Sequence, residues 1–273
     1  MTAPPTVPNY DAIKAKQNAA WASGDYGLIG ATLQISGEQL AEAMDMPVGA
    51  TVLDVAAGNG NITLAMARRG ASVTSTDYVD TLLAQGRARA IAEGLSVEFQ
   101  TADAENLPFE AASFDAVVST FGVMFTPNQK QSASELLRVC RPGGRIGMAN
   151  WTPAGFIGQL FKTLGKHVAP PAGVQSPANW GNQDWITETF GADAANIDVT
   201  PRNFVFRYAS PAAFVEFFRT YYGPVHKAFL ALDTAGQQAL EQDILATVAT
   251  FNTAEDGSMK VPSEYLELII TRT

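Results

Sequence analysis

From Thr51 onward the apolar residues of the chain fall into two alternating patterns. Short runs rich in β-branched residues, at Thr51–Val55, Ser72–Asp77, Val97–Thr101, Phe114–Ser119 and Arg145–Asn150, predict strands. Longer stretches at Ile62–Arg69, Thr81–Glu93 and Asn128–Cys140 predict helices. Parallel neighbours need a helical crossover, so this order predicts an α/β fold, a mostly parallel sheet with helices on both faces.

The flanks read differently. A helix is expected over Asp11–Trp21, after a proline-rich start (Pro4, Pro5, Pro8) that should fray. Ser36-Gly37-Glu38-Gln39 has the form of a capping box opening a helix to about Met44, and Pro47-Val48-Gly49 then breaks the chain. Thr126 is placed to cap the Asn128 helix with Pro127 as its first residue, and Arg141-Pro142-Gly143-Gly144 should stop it. Residues 152–182 are rich in proline and glycine and suggest a loop-and-helix excursion. A strand at Ile197–Phe206, an aromatic helix opened by Ser210-Pro211, a helix at Thr234–Phe251 and a strand at Tyr265–Ile269 complete seven strands.

Composition narrows the class. The 273 residues are 47% hydrophobic and 16% charged, enough apolar surface for a sizeable core. The net charge of -9 is spread evenly along the chain, and the only adjacent basic pair is Arg68-Arg69. Neither a nucleic acid nor an anionic membrane is the expected partner, since both need clustered cations. The single Cys140 has no disulfide partner, Met1–Pro8 lacks a signal-peptide layout, and the uncharged stretch Ile146–Phe161 is broken by polar residues. A soluble, cytoplasmic protein is expected.

In an open α/β sheet, ligands sit beyond the carboxyl ends of the strands, near the point where strand order reverses. The first such loop contains Gly58 and Gly60, which let backbone turn tightly against a ligand. Thr63 stands where a dinucleotide fingerprint wants a third small residue, which disfavours NAD, and no Lys-Ser or Lys-Thr follows to make a P-loop. Asp54, Asp77 and Asp103 all fall at strand ends. Singly, each suits a cap or a turn. In series they point to a nucleoside, Asp77 accepting ribose hydroxyls and Asp103 an adenine amino group.

The ordered set Leu53-Asp54-Val55-Ala56-Ala57-Gly58-Asn59-Gly60, Asp77, Asp103-Ala104-Glu105-Asn106-Leu107-Pro108-Phe109, Phe114-Asp115-Ala116-Val117-Val118-Ser119 and Leu137-Arg138-Val139-Cys140-Arg141-Pro142-Gly143-Gly144-Arg145 resembles the class I S-adenosylmethionine-dependent methyltransferases. Within them it looks most like the small-molecule type of ubiquinone and menaquinone biosynthesis. The resemblance covers about residues 37–151 well and implies a Rossmann-like sheet in one domain, 1–273. Residues 1–46 would form a helical lid, 47–151 the cofactor half, and 152–273 an acceptor cap plus the last strands. Gly58 and Gly60 with Asp54 would surround the methionine part of S-adenosylmethionine. Ala56 stands where the family commonly has its first glycine and should slightly crowd that end. Asp77 would take the ribose, Tyr78 would cover the adenine, and Asp103 and Ala104 with Glu105 would read its edge. Ser119, Thr120 and Phe121 would face the sulfonium, and Trp21 and Tyr26 would belong to the lid.

For the acceptor the sequence offers two histidines as general base, His167 and His226, the latter favoured by its aromatic neighbours. Trp151, Trp180, Phe218, Tyr221 and Tyr222 could wall a pocket for a flat apolar molecule. Phe214, Phe218 and Tyr221 at helical spacing equally suit an ordinary buried face. The expected partner is thus a small acceptor, with S-adenosylhomocysteine as product and no metal, there being no His/Cys cluster. Two alternatives stay open, a nicotinamide-dependent oxidoreductase, disfavoured by the lack of a Tyr-x-x-x-Lys pair, and a nucleoside-binding module without catalysis.

Overall fold

A computed structural model of the protein describes residues 8–23 and 25–273, so the expected fraying of the first residues lies outside the described part. Three helices come first: α1 (Tyr10–Trp21), α2 (Tyr26–Thr32) and α3 (Gln34–Met44). The alternating half follows as β1 (Thr51–Val55), α4 (Asn61–Arg68), β2 (Ser72–Asp77), α5 (Asp80–Ala92), β3 (Glu98–Thr101), β4 (Phe114–Thr120), α6 (Gln129–Val139) and β5 (Cys140–Trp151). The remainder is α7 (Phe156–His167), α8 (Gln183–Phe190), β6 (Ala194–Tyr208), α9 (Pro211–Tyr221), α10 (Gly223–Leu230), α11 (Thr234–Phe251) and β7 (Met259–Arg272).

The seven strands form one sheet in the order β3-β2-β1-β4-β5-β7-β6. All pairings from β3 to β5 are parallel, and β7 runs antiparallel to both β5 and β6. The order reverses between β1 and β4, which opens a crevice at their carboxyl ends. One continuous cluster of buried apolar residues runs from Ile29 to Ile270 and unites the sheet with the helices on both faces. Val52, Leu53, Val117 and Ile146 are fully buried, as expected of strands covered on both sides.

The expected strands and helices of the alternating half are all present, with ends moved by a residue or two, except that β5 starts five residues earlier than expected, at Cys140. Several local readings need correction. Ser36 does not cap a helix: α2 runs through Leu33 almost directly into α3, so Ser36 lies inside α3, buried and with its Oγ unpartnered. Packing of Ile29, Leu33, Leu40 and Met44 into the core decided that start, overriding the local capping signal. Asn128, and not Thr126, caps α6, its side chain accepting from the Gln131 amide, so Pro127 stays outside the helix. The helix α6 does stop just ahead of Arg141–Gly144, at Val139, but those residues lie within β5 and not before it, where a bulge in the pairing with β4 absorbs them. Helices α2, α8 and α10 had no expectation in the sequence pattern.

The strands β6 and β7 pair over nearly their whole lengths and project beyond the rest of the sheet, with α9, α10 and α11 inserted between them. The Arg202 guanidinium donates through Nε and one terminal nitrogen to the buried Glu267 carboxylate at 2.7 and 2.8 Å, locking the pair across the strands. Ser210 caps α9, and the rings of Phe156, Phe206, Phe214 and Phe218 interlock beneath it. Phe214 is fully buried at their centre. Phe214→Ala should therefore lower the unfolding free energy by about 3–5 kcal/mol, read from denaturant titration with an unchanged slope.

Candidate functional site

The loop after β1 is held in an unusual backbone path. Ala56, Gly58 and Gly60 have φ of 53°, 57° and 83°, all left-handed. Glycine adopts this freely at 58 and 60, whereas Ala56 carries a Cβ there at a cost. The loop is anchored by Asp77 at the end of the neighbouring β2: its Oδ2 accepts from the Gly58 amide at 2.8 Å and its Oδ1 from the Val79 amide at 2.9 Å. On the other side α2 is tied to the loop. The Asn59 side chain donates to the Gly27 carbonyl at 3.2 Å and that of Asn61 to the Gly30 carbonyl at 2.7 Å. The Tyr26 ring lies over the loop so closely that a Cβ on Gly58 would sit 3.3 Å from it.

A cavity of about 840 Å³, counting its open mouth, lies beyond these strand ends. Of the residues singled out in the sequence, Trp21, Tyr26, Ala56, Gly58, Asp77, Tyr78, Asp103, Ala104, Glu105, Thr120 and Phe121 line it. Three others do not. Asp54 is fully buried behind the loop, accepting from the Thr63 hydroxyl at 2.5 Å; Gly60 serves as the turn into α4; and Ser119 donates its hydroxyl to the Val55 carbonyl at 2.7 Å. These three support the wall from behind because their side of the strand or turn faces the core.

The structure adds residues that the sequence reading missed. Lys14 and Gln17 line the cavity beside the expected Trp21, at i, i+3 and i+7 on one face of α1. That spacing was present in the sequence, but a face half polar and half aromatic carries no amphipathic signal. Lys14 Nζ reaches Asp103 Oδ2 at 2.6 Å and Glu105 Oε2 at 3.2 Å. The Leu107-Pro108-Phe109 stretch is itself clamped: Arg138 donates to the Phe109 and Leu107 carbonyls at 2.6 and 2.9 Å, while Glu135 accepts from the Leu107 amide at 2.7 Å. The loop that carries Asp103 and Glu105 is thereby fixed to α6.

A second cavity of about 300 Å³ adjoins the first, sharing Tyr26, Leu33, Phe121 and Phe125 with it. Trp151, Ile157, Phe206, Phe218 and Tyr222 complete its apolar wall. Phe121 stacks on Trp151 with centroids 4.0 Å apart and stands between the two spaces. Of the residues expected to wall an acceptor pocket, Trp151, Phe218 and Tyr222 line this cavity. Trp180 and Tyr221 are not: Trp180 is fully buried against Trp185 and Phe190, and Tyr221 packs on Phe217. Neither histidine lines either cavity. His167 Nε2 lies 2.8 Å from Asp243 Oδ2, between α7 and α11, and His226 turns back from α10 onto α9 to put Nδ1 2.9 Å from the Arg219 carbonyl. The proline-rich excursion and the turn before His226 fold into helices packed on each other, which points both rings away from the sheet's crevice.

Burial dominates the electrostatics. It pushes the Asp54 carboxyl up to about 7 against the Thr63 hydrogen bond, and Asp77 up to about 6 against its backbone amide bonds. Burial likewise raises the phenols of Tyr26, Tyr78 and Tyr222, which stay neutral at physiological pH. Cys140, buried on β5, has its thiol raised to about 11 and is a core residue. Among the described residues no group of His, Cys, Asp and Glu is arranged to hold a metal.

Two outcomes follow for stability. Because the folded-state values of Asp54 and Asp77 lie above their unfolded ones, the native state holds extra protons between about pH 4 and 7. Stability should therefore fall as pH rises through that window, and Asp54→Asn should flatten the fall, as read from thermal unfolding across about pH 4–7. Ala56→Gly removes a left-handed alanine, and the relief should exceed the glycine's extra unfolded-state entropy, raising the unfolding free energy by about 0.5–1 kcal/mol in urea titration.

Comparison with known proteins agrees with this geometry. The family described as "Methyltransferase domain" matches residues 53–148, the stretch that carries the loop, Asp77 and Asp103. An uncharacterized protein of Mycobacterium tuberculosis is 37% identical over 261 residues, 94% of each chain. A demethylmenaquinone methyltransferase of Clavibacter sepedonicus is 33% identical over 177 residues, 62% of this chain and 72% of its own. In fold, the crystal structure of the YcgJ protein from Bacillus subtilis is similar, with a TM-score of 0.62 at 18% identity, covering 87% of this chain and 98% of that one. Sheet order, glycine loop and these relatives together establish that the chain belongs to the class I S-adenosylmethionine-dependent methyltransferases.

Proposed function

We propose that the protein transfers the methyl group of S-adenosylmethionine to a small-molecule acceptor, a phenol or quinol oxygen, a thiol or an activated carbon, and releases S-adenosylhomocysteine. One observation carries this reading. The Gly58 loop, Asp77 and Asp103 converge on a single cavity, which meets an apolar one across Tyr26 and Phe121. The residues fit the nucleoside. Asp77 and Asp103 keep lone pairs beyond those used by the Gly58, Val79 and Glu105 amides and by Lys14.

When bound, S-adenosylmethionine supplies a methyl group on a cationic sulfur that leaves as a neutral thioether. The protein's task is to align two molecules and keep water out. Asp77 receives the ribose hydroxyls, Asp103 and Ala104 the adenine edge, with Tyr78 against its face. Trp21 and Tyr26 close the mouth edge to face, with ring centroids 5.4 Å apart. The acceptor enters the smaller cavity. Of the residues lining that space only Tyr26 and Tyr222 are ionisable, and burial keeps both phenols protonated. Among the described residues no general base lines the acceptor's space, so its nucleophilic atom reacts as an anion or a lone pair that the acceptor itself provides. The Clavibacter relative's name supports a quinol among the candidates.

The net charge of -9 and the lack of clustered cations favour a small acceptor over a nucleic acid. The single cysteine, which leaves the chain without an internal disulfide, is in keeping with a cytoplasmic setting. Calorimetric titration tests the reading. S-adenosylmethionine and S-adenosylhomocysteine should bind, Asp77→Ala should weaken both at least several-fold, and NADH should give no heat. Binding of NADH alone would replace this function with the oxidoreductase alternative. With an accepted substrate in hand, His167→Ala and His226→Ala should keep turnover within twofold of wild type, because neither ring reaches the cavities.

A further inference from the structure

Helix α1 lies across the larger cavity without burying a single residue. Its hold on the body is polar and aromatic. Gln17 donates to the Phe125 carbonyl at 3.1 Å, Asn18 donates to the Tyr78 carbonyl at 2.6 Å, and Trp21 meets Tyr26, Phe125 and Tyr222 edge-on. With little apolar burial to keep it down, an element of this kind opens at low free-energy cost.

The Lys14 ion pairs stand out among these contacts. The Glu105 side chain is only 5% exposed, and its second oxygen accepts from the Asn128 amide at 2.7 Å. Asp103 Oδ1 accepts from the Glu105 amide at 2.9 Å, which leaves Oδ2 to Lys14. Among the described residues Lys14 is the only cation paired with either carboxylate. Removing it leaves a buried carboxylate without its counter-charge, a costly state. The same two acids sit on the clamped loop at the end of the cavity that the nucleoside reading assigns to adenine.

We propose that Lys14 is a positioning residue of the nucleoside site and the latch of a lid: it fixes the Asp103 and Glu105 carboxylates, and α1 opens for cofactor entry and release by breaking those ion pairs. The latch rests on the nucleoside reading only for what passes through the opening, and its test separates the two. Hydrogen exchange of the full-length, ligand-free protein reports the lid itself. Lys14→Met should speed exchange of the α1 amides several-fold and leave the β1 and β4 amides unchanged. Raising salt to about 1 M, where the Debye length is about 3 Å, should speed α1 exchange in the wild type and not in the variant. Lys16→Met, an exposed change on the same helix, should behave as wild type. Stopped-flow displacement of S-adenosylhomocysteine should then show release several-fold faster in Lys14→Met. Unchanged α1 exchange in Lys14→Met, or faster exchange with unaltered release, would overturn the proposal. If S-adenosylhomocysteine binds no form of the protein, the functional reading falls, and the exchange experiment still decides the latch.

Discussion

The site depends on one carboxylate. Asp77 ends β2 and accepts two backbone amides, one from the glycine loop after β1 and one from the start of the turn into α5. It thereby ties two adjacent strand ends together and imposes the left-handed path on residues 56–60. The burial this requires pushes its own protonation upward and adds to that of Asp54 behind it. A pair of buried acids is an expensive way to stabilise a fold. Of the two, only Asp77 lines the cavity, where its acceptor-only oxygens suit a ligand rich in hydroxyls.

Around that fixed point the molecule divides its labour by polarity. The cavity beside the loop is lined by Asp77, Asp103 and Glu105, by the amides of Gln17, Asn59 and Asn61 and by Lys14, with aromatic rings among them, and is roofed by a helix none of whose residues is fully buried. The neighbouring cavity is walled by aromatic rings from α2, β5, β6 and α9, held by the interlocked phenylalanines of the cap. In the proposed reaction the roof is the element that opens, and the aromatic wall is the apolar surface that receives the acceptor. Methyl transfer needs both, since donor and acceptor must enter and leave while water is kept from the reacting atoms.

Several residues that make the chain resemble its family do structural work. Arg138, Glu135 and Leu107 form a clamp that sets the height of the loop carrying Asp103. Ser119 bridges β4 to the end of β1 and accepts from the Val123 amide at 3.0 Å, fixing the turn that presents Phe121. Family-like spacing thus reflects two demands, contact with the ligand and precise placement of the residues that make it.

What the sequence determined by itself was whatever local periodicity and strand ends encode. The alternation of runs gave the strands and helices between Thr51 and Asn150, and the acids at successive strand ends pointed to Asp77 and Asp103, because in a parallel sheet the ends of neighbouring strands necessarily meet. Tertiary structure alone decided what lies far apart in the chain or turns on side-chain direction. Ser36 lost its cap to the packing of Leu33 and Leu40, and Lys14 found Asp103 and Glu105 about ninety positions away. His167 and His226, chemically suitable, were spent on Asp243 and on the Arg219 carbonyl when their segments became packed helices. A side chain's chemistry is written in the sequence, but whether it faces a cavity or a neighbour is settled by long-range packing, which no local pattern records.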